Sequence, residues 1–420
     1  MQQPAAFGKW RIAAILAALL FGVGQSQADG HAGVPWVASW AAGQIRVDPK
    51  DALPAGQDLT LRQLIRTTIG GGRIRLRVSN ALGSVPLTIT GVHIARAVSP
   101  SSSRIDPSTD RTVTFNGVDA ISIPAGAEYV SDPVAMGAAP FTTFAVSMHF
   151  ADLPKVQTGH PGSRATSYFA PGDELSAPEI NASTVDRWYF LDGLEVVPDQ
   201  PAAAIGVVGD SIVDGHGVVS NSNTRWTDYL AARVEKDSLA VLNLGIGSNC
   251  LSETCIGPSA AARFGRDVLA RPGLKCVIIL EGVNDLGVLT RDAPVSPQVH
   301  HALVARMIGA LAQMTARARE RGIKVIGATI MPYGGSGYYH PDPANEADRA
   351  AINAWIRKPG NVDAVVDFDA MMRDPAQPNR LKKIYDSGDG LHPSPEGYRF
   401  MGGAVPLSLF AASKPSGRRR

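Results

Sequence analysis

The sequence predicts an α/β protein: a parallel three-layer domain over residues 199–412, preceded by a β-rich region over 29–198 of sandwich or jelly-roll type. Three observations predict it. After Val196-Val-Pro-Asp-Gln-Pro201, short apolar runs alternate with segments of helical period, the pattern of strands joined by crossover helices. Before that proline pair, period-two runs follow one another with turn clusters between them, as in packed antiparallel sheets. The chain is 420 residues long, enough for two domains and a sizeable core.

The first segment reads as an export signal. Lys9 and Arg11 precede the apolar run Ile12–Val23, and Ser26-Gln27-Ala28 has the small-x-small form of a cleavage site. Residues 1–28 are therefore expected to be removed after Ala28, with an uncleaved anchor as the alternative, and the mature protein to be secreted or periplasmic. No later stretch is apolar enough for a stable membrane span. Three cysteines fit export. Cys250 and Cys255 share one loop and can bridge, whereas Cys276 sits in the apolar run Cys276–Leu280 and reads as a buried small hydrophobe. Their spacing matches no zinc signature, so neither metal nor cofactor is expected. The net charge of +2 gives no case for nucleic acid.

Within 29–198, alternation predicts strands over Ile74–Val78, Leu87–Ile94, Thr112–Phe115 and Thr143–Phe150. Trp36, Trp40, Trp188 and Tyr189 read as packing residues, with a carbohydrate-lining face as the alternative. Asn181-Ala-Ser183 is a lone glycosylation sequon. Beyond the prolines, strands are expected at Ala204–Gly209, Ala240–Gly245, Cys276–Gly282, Lys324–Met331 and Ala364–Phe368. Helices are expected at Arg225–Lys236, Pro297–Arg321, Ala344–Arg357 and Pro395–Phe410. In the second of these, Leu303, Met307, Leu311 and Met314 share the inner face, and Gly322 stops it. Ser413–Arg420 is a polar basic tail.

In an open parallel sheet, ligands lie beyond the carboxyl ends of the strands. The first strand delivers Gly209-Asp-Ser211, the second Gly245-Ile-Gly-Ser-Asn249 and the third Glu281-Gly-Val-Asn-Asp285. Asp389-Gly-Leu-His-Pro393 follows the fifth. Acyl transfer needs a hydroxyl, a base, an acid that orients the base and donors for the oxyanion. Ser211 supplies the hydroxyl, His392 the base and Asp389, three residues earlier, the orienting acid. Asn284 and backbone N–H groups near Ser211 and in Gly247-Ser248 supply donors. The bland reading of Ser211 is a helix N-cap.

These four blocks, in this order and at these strand ends, resemble the SGNH (GDSL) hydrolases over residues 202–412. The resemblance implies a flavodoxin-like domain with strand order 2-1-3-4-5 and a Ser211–His392–Asp389 triad. It also implies an oxyanion hole from the Ser211 amide, a second-block glycine amide and the Asn284 side chain. Related sequences often carry Gly-Ile-Gly-Gly-Asn in the second block, and the second glycine of the pair is their donor. This chain has Ser248 there, so Ser248 serves if it tolerates the required backbone conformation, and Gly247 is the alternative. With its β-rich region the chain also resembles secreted esterases of the xylan-esterase-like group.

Other polar residues receive structural readings. Asp210 braces its loop, and Asp214 and His216 shape the turn after Ser211. His300 and His301 are adjacent on a helix and cannot share a metal. The loops Leu286–Pro297 and Tyr333–Pro341 are expected to wall the substrate pocket. The expected activity is hydrolysis of carboxylic esters, with O-acetyl groups on a small or polymeric carbohydrate as substrate. A lysophospholipase or short-chain lipid esterase is the alternative enzyme. A carbohydrate-binding protein with an inactive hydrolase domain is the alternative of another class.

Overall fold

The computed structural model describes residues 36–411. The export signal, its cleavage site at Ala28 and the tail 413–420 lie outside the described residues. Ten strands of the β-rich half form two antiparallel sheets. They are β1 Val37–Ala41, β2 Leu59–Arg66, β3 Arg73–Ser79, β4 Gly91–Arg96, β5 Arg111–Thr112, β6 Glu128–Val130, β7 Thr143–Phe150, β8 Ser167–Pro171, β9 Ser183–Val185 and β10 Leu191–Val197. One sheet has the order β1-β10-β3-β6 and the other β9-β8-β2-β7-β4-β5. Strand β7 shows why alternation works as a signal. Phe144, Val146, Met148 and Phe150 enter the main core, while Ala145 faces a smaller cluster with Leu64, Ile105 and Ile180.

Two expectations in this half are corrected. The run Leu87–Ile94 is not one strand. Leu87–Ile89 pairs with Ile121–Ile123 and Gly91–Arg96 pairs with β7, so the chain changes sheet between them. The ladder expected over Thr112–Phe115 stops at Thr112, although Val113 and Phe115 are buried as anchors.

The second half carries the parallel sheet. Its strands are β11 Ala203–Gly209, β12 Leu239–Gly245, β13 Leu274–Leu280, β14 Lys324–Ala328 and β15 Ala364–Val366. Every residue of β11 is buried and none is charged, as a strand covered on both faces requires. The order is β12-β11-β13-β14-β15 with all pairs parallel, so counting strands within this sheet gives 2-1-3-4-5. The helices are α1 Ser211–Asp214, α2 Trp226–Val234, α3 Ala260–Arg263, α4 Val283–Thr290, α5 Pro297–Arg319, α6 Pro343–Arg357, α7 Phe368–Met372 and α8 Pro395–Ala404. Leu303, Met307, Leu311 and Met314 form the buried stripe of α5, and Gly322 follows it at φ 69°. Helix α8 is shorter than expected because Pro406 cannot continue it, and Leu407–Phe410 forms a separate 3-10 turn.

The register fixes where the chemistry sits. Gly209 of β11 is level with Gly245 of β12 and Leu280 of β13. The three polar segments that follow these strands therefore emerge side by side. The two halves share one buried core. Backbone and side-chain bonds also join them: Ala38 N–H donates to Pro272 O at 3.0 Å, and Val241 N–H to Thr68 Oγ1 at 3.1 Å.

Candidate active site

Strand β11 ends in a turn too tight for a side chain at Gly209, where a Cβ would come within 2.3 Å of both Leu280 O and Val213. Asp210 then caps α1: its Oδ1 accepts from Ile212 N–H at 2.9 Å. Ser211 is the first helical residue and not the cap, which frees its side chain. Its Oγ lies 2.8 Å from His392 Nε2. His392 Nδ1 lies 2.6 Å from Asp389 Oδ2, while Asp389 Oδ1 accepts from the N–H groups of Leu391 and His392 at 2.9 and 2.8 Å. Partial burial works to raise the Asp389 pKa, but these hydrogen bonds outweigh it and hold the group at about 2. The carboxylate thus stays charged, fixes the imidazole tautomer and leaves Nε2 free to take the Ser211 proton.

The second block builds a donor loop. Gly247 N–H is already engaged, donating to Asp214 Oδ2 at 3.1 Å. Ser248 takes φ 58°, the left-handed conformation, and its N–H finds no acceptor among the described residues. As the first residue of α1, Ser211 also has no intrahelical acceptor for its N–H. Asn249 is fully buried; it donates to Ile256 O and Pro258 O and accepts from Arg263 Nε at 2.9 Å. Cys250 and Cys255 form a disulfide with a Cα–Cα distance of 5.6 Å, closing the loop that follows. Cys276 is buried and free.

Asn284 is held at both ends of its amide. Nδ2 donates to Asn249 O at 2.6 Å, and Oδ1 accepts from Tyr339 Oη at 2.6 Å. The second Nδ2 proton is left for a ligand; Asn249 O, which can only accept, sets which end of the amide carries the donor, and the Tyr339 hydroxyl holds the other end. A cavity of about 620 Å³ opens over these groups, lined by Ser211, His392, Ser248 and Asn284 together with Gly335–Tyr339. The loop Tyr333–Pro341 is thus a wall, as expected. Leu286–Pro297 is not: Leu286–Thr290 belongs to α4, and its link to the wall is Arg291, which donates to Tyr338 Oη at 3.1 Å.

Two residues given only a turn-shaping part do more. The His216 ring stacks on His392 with centroids 3.9 Å apart. Burial, then the neighbouring charge of His392, lowers its pKa, so a neutral ring faces the base. Asp214 is buried, and His160 from the short strand Thr158–His160 meets it, Nε2 to Oδ1 at 3.0 Å. His160 Nδ1 lies 2.8 Å from Gly43 O, so both ring nitrogens face an oxygen atom. The pattern that would have exposed this pair is absent from the sequence, because its members are 54 positions apart. Elsewhere, His300 Nδ1 pairs with Asp348 at 2.5 Å, away from exposed His301. Trp40 packs edge-on against Trp188 at 4.9 Å with both rings buried, and Arg75 lies over Trp36.

Behind the site, burial raises the Asp210 pKa to about 7 and that of Glu281 well above the ordinary value. Both Glu281 carboxyl oxygens are without a partner among the described residues. The ligand atoms of His216, Asp389 and His392 lie within 4.8 Å of one another. His392 and Asp389 are already joined in the hydrogen-bonded chain from Ser211, which leaves His216 as the one uncommitted member of that group.

Residues 207–400 match the model of the GDSL-like Lipase/Acylhydrolase family. No curated protein matches the chain. Among solved structures, a GDSL-like lipase from Bacteroides thetaiotaomicron is 20% identical over 50% of this chain and 91% of its own, with a TM-score of 0.37. A member of the lipolytic protein G-D-S-L family from Veillonella parvula is 16% identical over 50% and 98%, with a TM-score of 0.35. The acetyl xylan esterase AlAXEase is 16% identical over 48% and 96%, with a TM-score of 0.36.

Proposed function

We propose, from the match of residues 207–400 to the GDSL-like Lipase/Acylhydrolase family, that this chain is an exported serine esterase that removes O-acetyl groups from carbohydrates. The observation that carries the reading is the unbroken chain from Ser211 Oγ through His392 to Asp389, at 2.8 and 2.6 Å, on the floor of an open cavity. Ser211 Oγ attacks the ester carbonyl while His392 Nε2 takes its proton. The oxyanion is received by the N–H groups of Ser211 and Ser248 and by Asn284 Nδ2. His392 returns the proton to the departing alcohol, leaving an acyl-Ser211. Water, deprotonated by His392, repeats the attack, and the acid leaves with Ser211 restored.

The lining supports this substrate class. Leu391 is the one aliphatic side chain on the wall of the cavity; the rest is glycine, hydroxyl, amide, tyrosine ring, the His216 and His392 imidazoles and the Asp389 carboxylate. A long acyl chain requires apolar surface to bury, whereas a short acyl group on a polar alcohol does not. Exposed Tyr338 offers a ring face at the rim. Export is supported by the Cys250–Cys255 bond, a feature of oxidising compartments, together with the charged-apolar-small order of residues 1–28. No helix among the described residues is long and apolar enough to cross a membrane.

The purified protein is expected to hydrolyse p-nitrophenyl acetate, and Ser211→Ala to reduce kcat by about 10⁴-fold or more. An inactive wild type, or a variant equal to it, overturns the reading. Rates should fall steeply from acetyl to octanoyl esters. Acetate release from acetylated xylan, compared with acetylated pectin, then identifies the polymer.

A further inference from the structure

A second cavity, of about 500 Å³, lies beside the first and shares Gly247 and Ser248 with it. A molecule whose ester carbonyl sits at the Ser248 N–H therefore extends from one cavity into the other. Much of the second wall comes from the β-rich half, and its charges are unevenly matched. Lys50 pairs with Asp48 at 3.3 Å, Arg187 with Asp51 at 2.9 Å and His160 with Asp214 at 3.0 Å. Arg46 and Arg164, which also line it, have no carboxylate partner among the described residues; Arg46 is exposed, whereas Arg164 Nε is buried without an acceptor among them.

The loop His160–Arg164 is built to hold that guanidinium in place. His160 bonds Asp214, and Gly162 passes so near it that a Cβ would lie 2.2 Å from Asp214 Oδ2. Ser163 O accepts from the Arg225 guanidinium, and Arg164 O accepts from Asn221 N–H at 2.8 Å. Arg164 itself stands at φ 48°, a conformation that residues with a Cβ seldom adopt. A strained, anchored and unpaired arginine on a cavity wall is suited to an anion, and its planar fork matches a carboxylate.

We propose that this cavity binds a carboxylate on the alcohol part of the ester, so that the preferred substrates are acyl esters of acidic saccharides bearing uronic acids. The inference rests on the esterase reading above, and it fixes which carbohydrates are taken. The size suits one or two sugar rings, and the sparse aliphatic lining next to Ser211 favours a saccharide over a lipid that carries its charge on phosphate.

The test compares kcat/KM on O-acetylated methyl glucuronoside and O-acetylated methyl glucoside. The wild type should prefer the acid by about tenfold or more, as for a charged hydrogen bond, and the preference should shrink when salt is raised to about 0.5 M. Arg164→Gln should lose it and Arg164→Lys keep part of it. If Arg164→Gln fails to fold, the salt dependence and the lysine variant decide. Calorimetric titration of the Ser211→Ala protein with glucuronate and glucose oligomers reads the cavity without turnover, so a failure of the esterase reading is separable from a failure here. Equal kcat/KM on the two esters, an undiminished preference in Arg164→Gln, or faster turnover of a lysophospholipid than of either sugar would each overturn the proposal.

Discussion

The two halves of this molecule contribute to the site in opposite ways. In the proposed reaction the parallel sheet supplies the reactive groups from the ends of its strands, each within a few residues of a strand terminus: Ser211, Ser248 and Asn284. The β-rich half supplies no reacting atom. It supplies His160, at the end of the short strand Thr158–His160, and Gly162 and Arg164 on the loop that follows. His160 and Gly162 act on Asp214, and Asp214 engages Gly247 N–H. With Gly247 N–H occupied, the neighbouring Ser248 N–H is the one left to face a substrate. The contrast is between groups that do chemistry and groups that settle which donor does it.

The strongest way to break this comparison is Asp214→Ala. It leaves the buried His160 without its carboxylate partner and Gly247 N–H without its acceptor. Removing one partner of a buried pair costs about 3–5 kcal/mol, so chemical denaturation should show a loss of that order, with kcat on p-nitrophenyl acetate falling as well. A variant with wild-type stability and rate would mean that the β-rich half merely covers the sheet.

Next comes the sheet's own contribution. Asn284→Ala removes a side-chain donor and should lower kcat about 10²–10³-fold with little change in KM. Tyr339→Phe keeps the amide, still oriented by Asn249 O, but removes the hydroxyl that steadies Oδ1, so its loss should be smaller and again confined to kcat. If Tyr339→Phe raises KM alone, Tyr339 contacts substrate and does not position Asn284.

These two cases also show what the sequence could disclose. That Ser211, Asn284, Asp389 and His392 come together around one cavity was legible because each lies just beyond a predicted strand or within one tight loop, where local spacing reports three-dimensional position. The parallel strands were legible because a strand covered on both faces must be apolar throughout. Tyr339 and Asn284 lie 55 positions apart, and their contact depends on how the glycine-rich loop folds back over the sheet. The His160–Asp214 pair joins the two halves, and no local pattern encodes such a pairing. Thr112–Phe115 misled for a related reason. Its alternation reflects burial of Val113 and Phe115 as loop anchors, and burial alone does not imply a ladder.

A third test moves beneath the site, where Glu281 is buried with both oxygens unpaired among the described residues. Burial raises its pKa well above the ordinary value, and the charge of Asp210 adds to this. An acid with a raised folded pKa takes up a proton on folding. Its stabilising contribution is therefore complete below the unfolded value of about 4.3 and is lost as pH climbs toward the folded value. Glu281→Gln removes that dependence. The variant should gain about 1–3 kcal/mol relative to wild type at pH 8, and the gain should shrink by pH 5. A constant difference across the range would mean that Glu281 is not the group responsible.

The smallest expected effect belongs to the position where this chain departs from the glycine of its relatives. Ser248 is exposed and stands at φ 58°, where a Cβ costs roughly 1–2 kcal/mol. Glycine would relieve that strain but give back about 0.5–1 kcal/mol in unfolded-state entropy. Ser248→Gly should therefore raise stability by no more than about 1 kcal/mol and leave kcat on p-nitrophenyl acetate within about twofold, because the donor is a backbone N–H that both residues own. A large fall in kcat would assign the work to the Ser248 hydroxyl. A marked rise would mean that the Asp214–Gly247 bond alone does not hold the loop in its working shape, and that the left-handed turn is populated only part of the time.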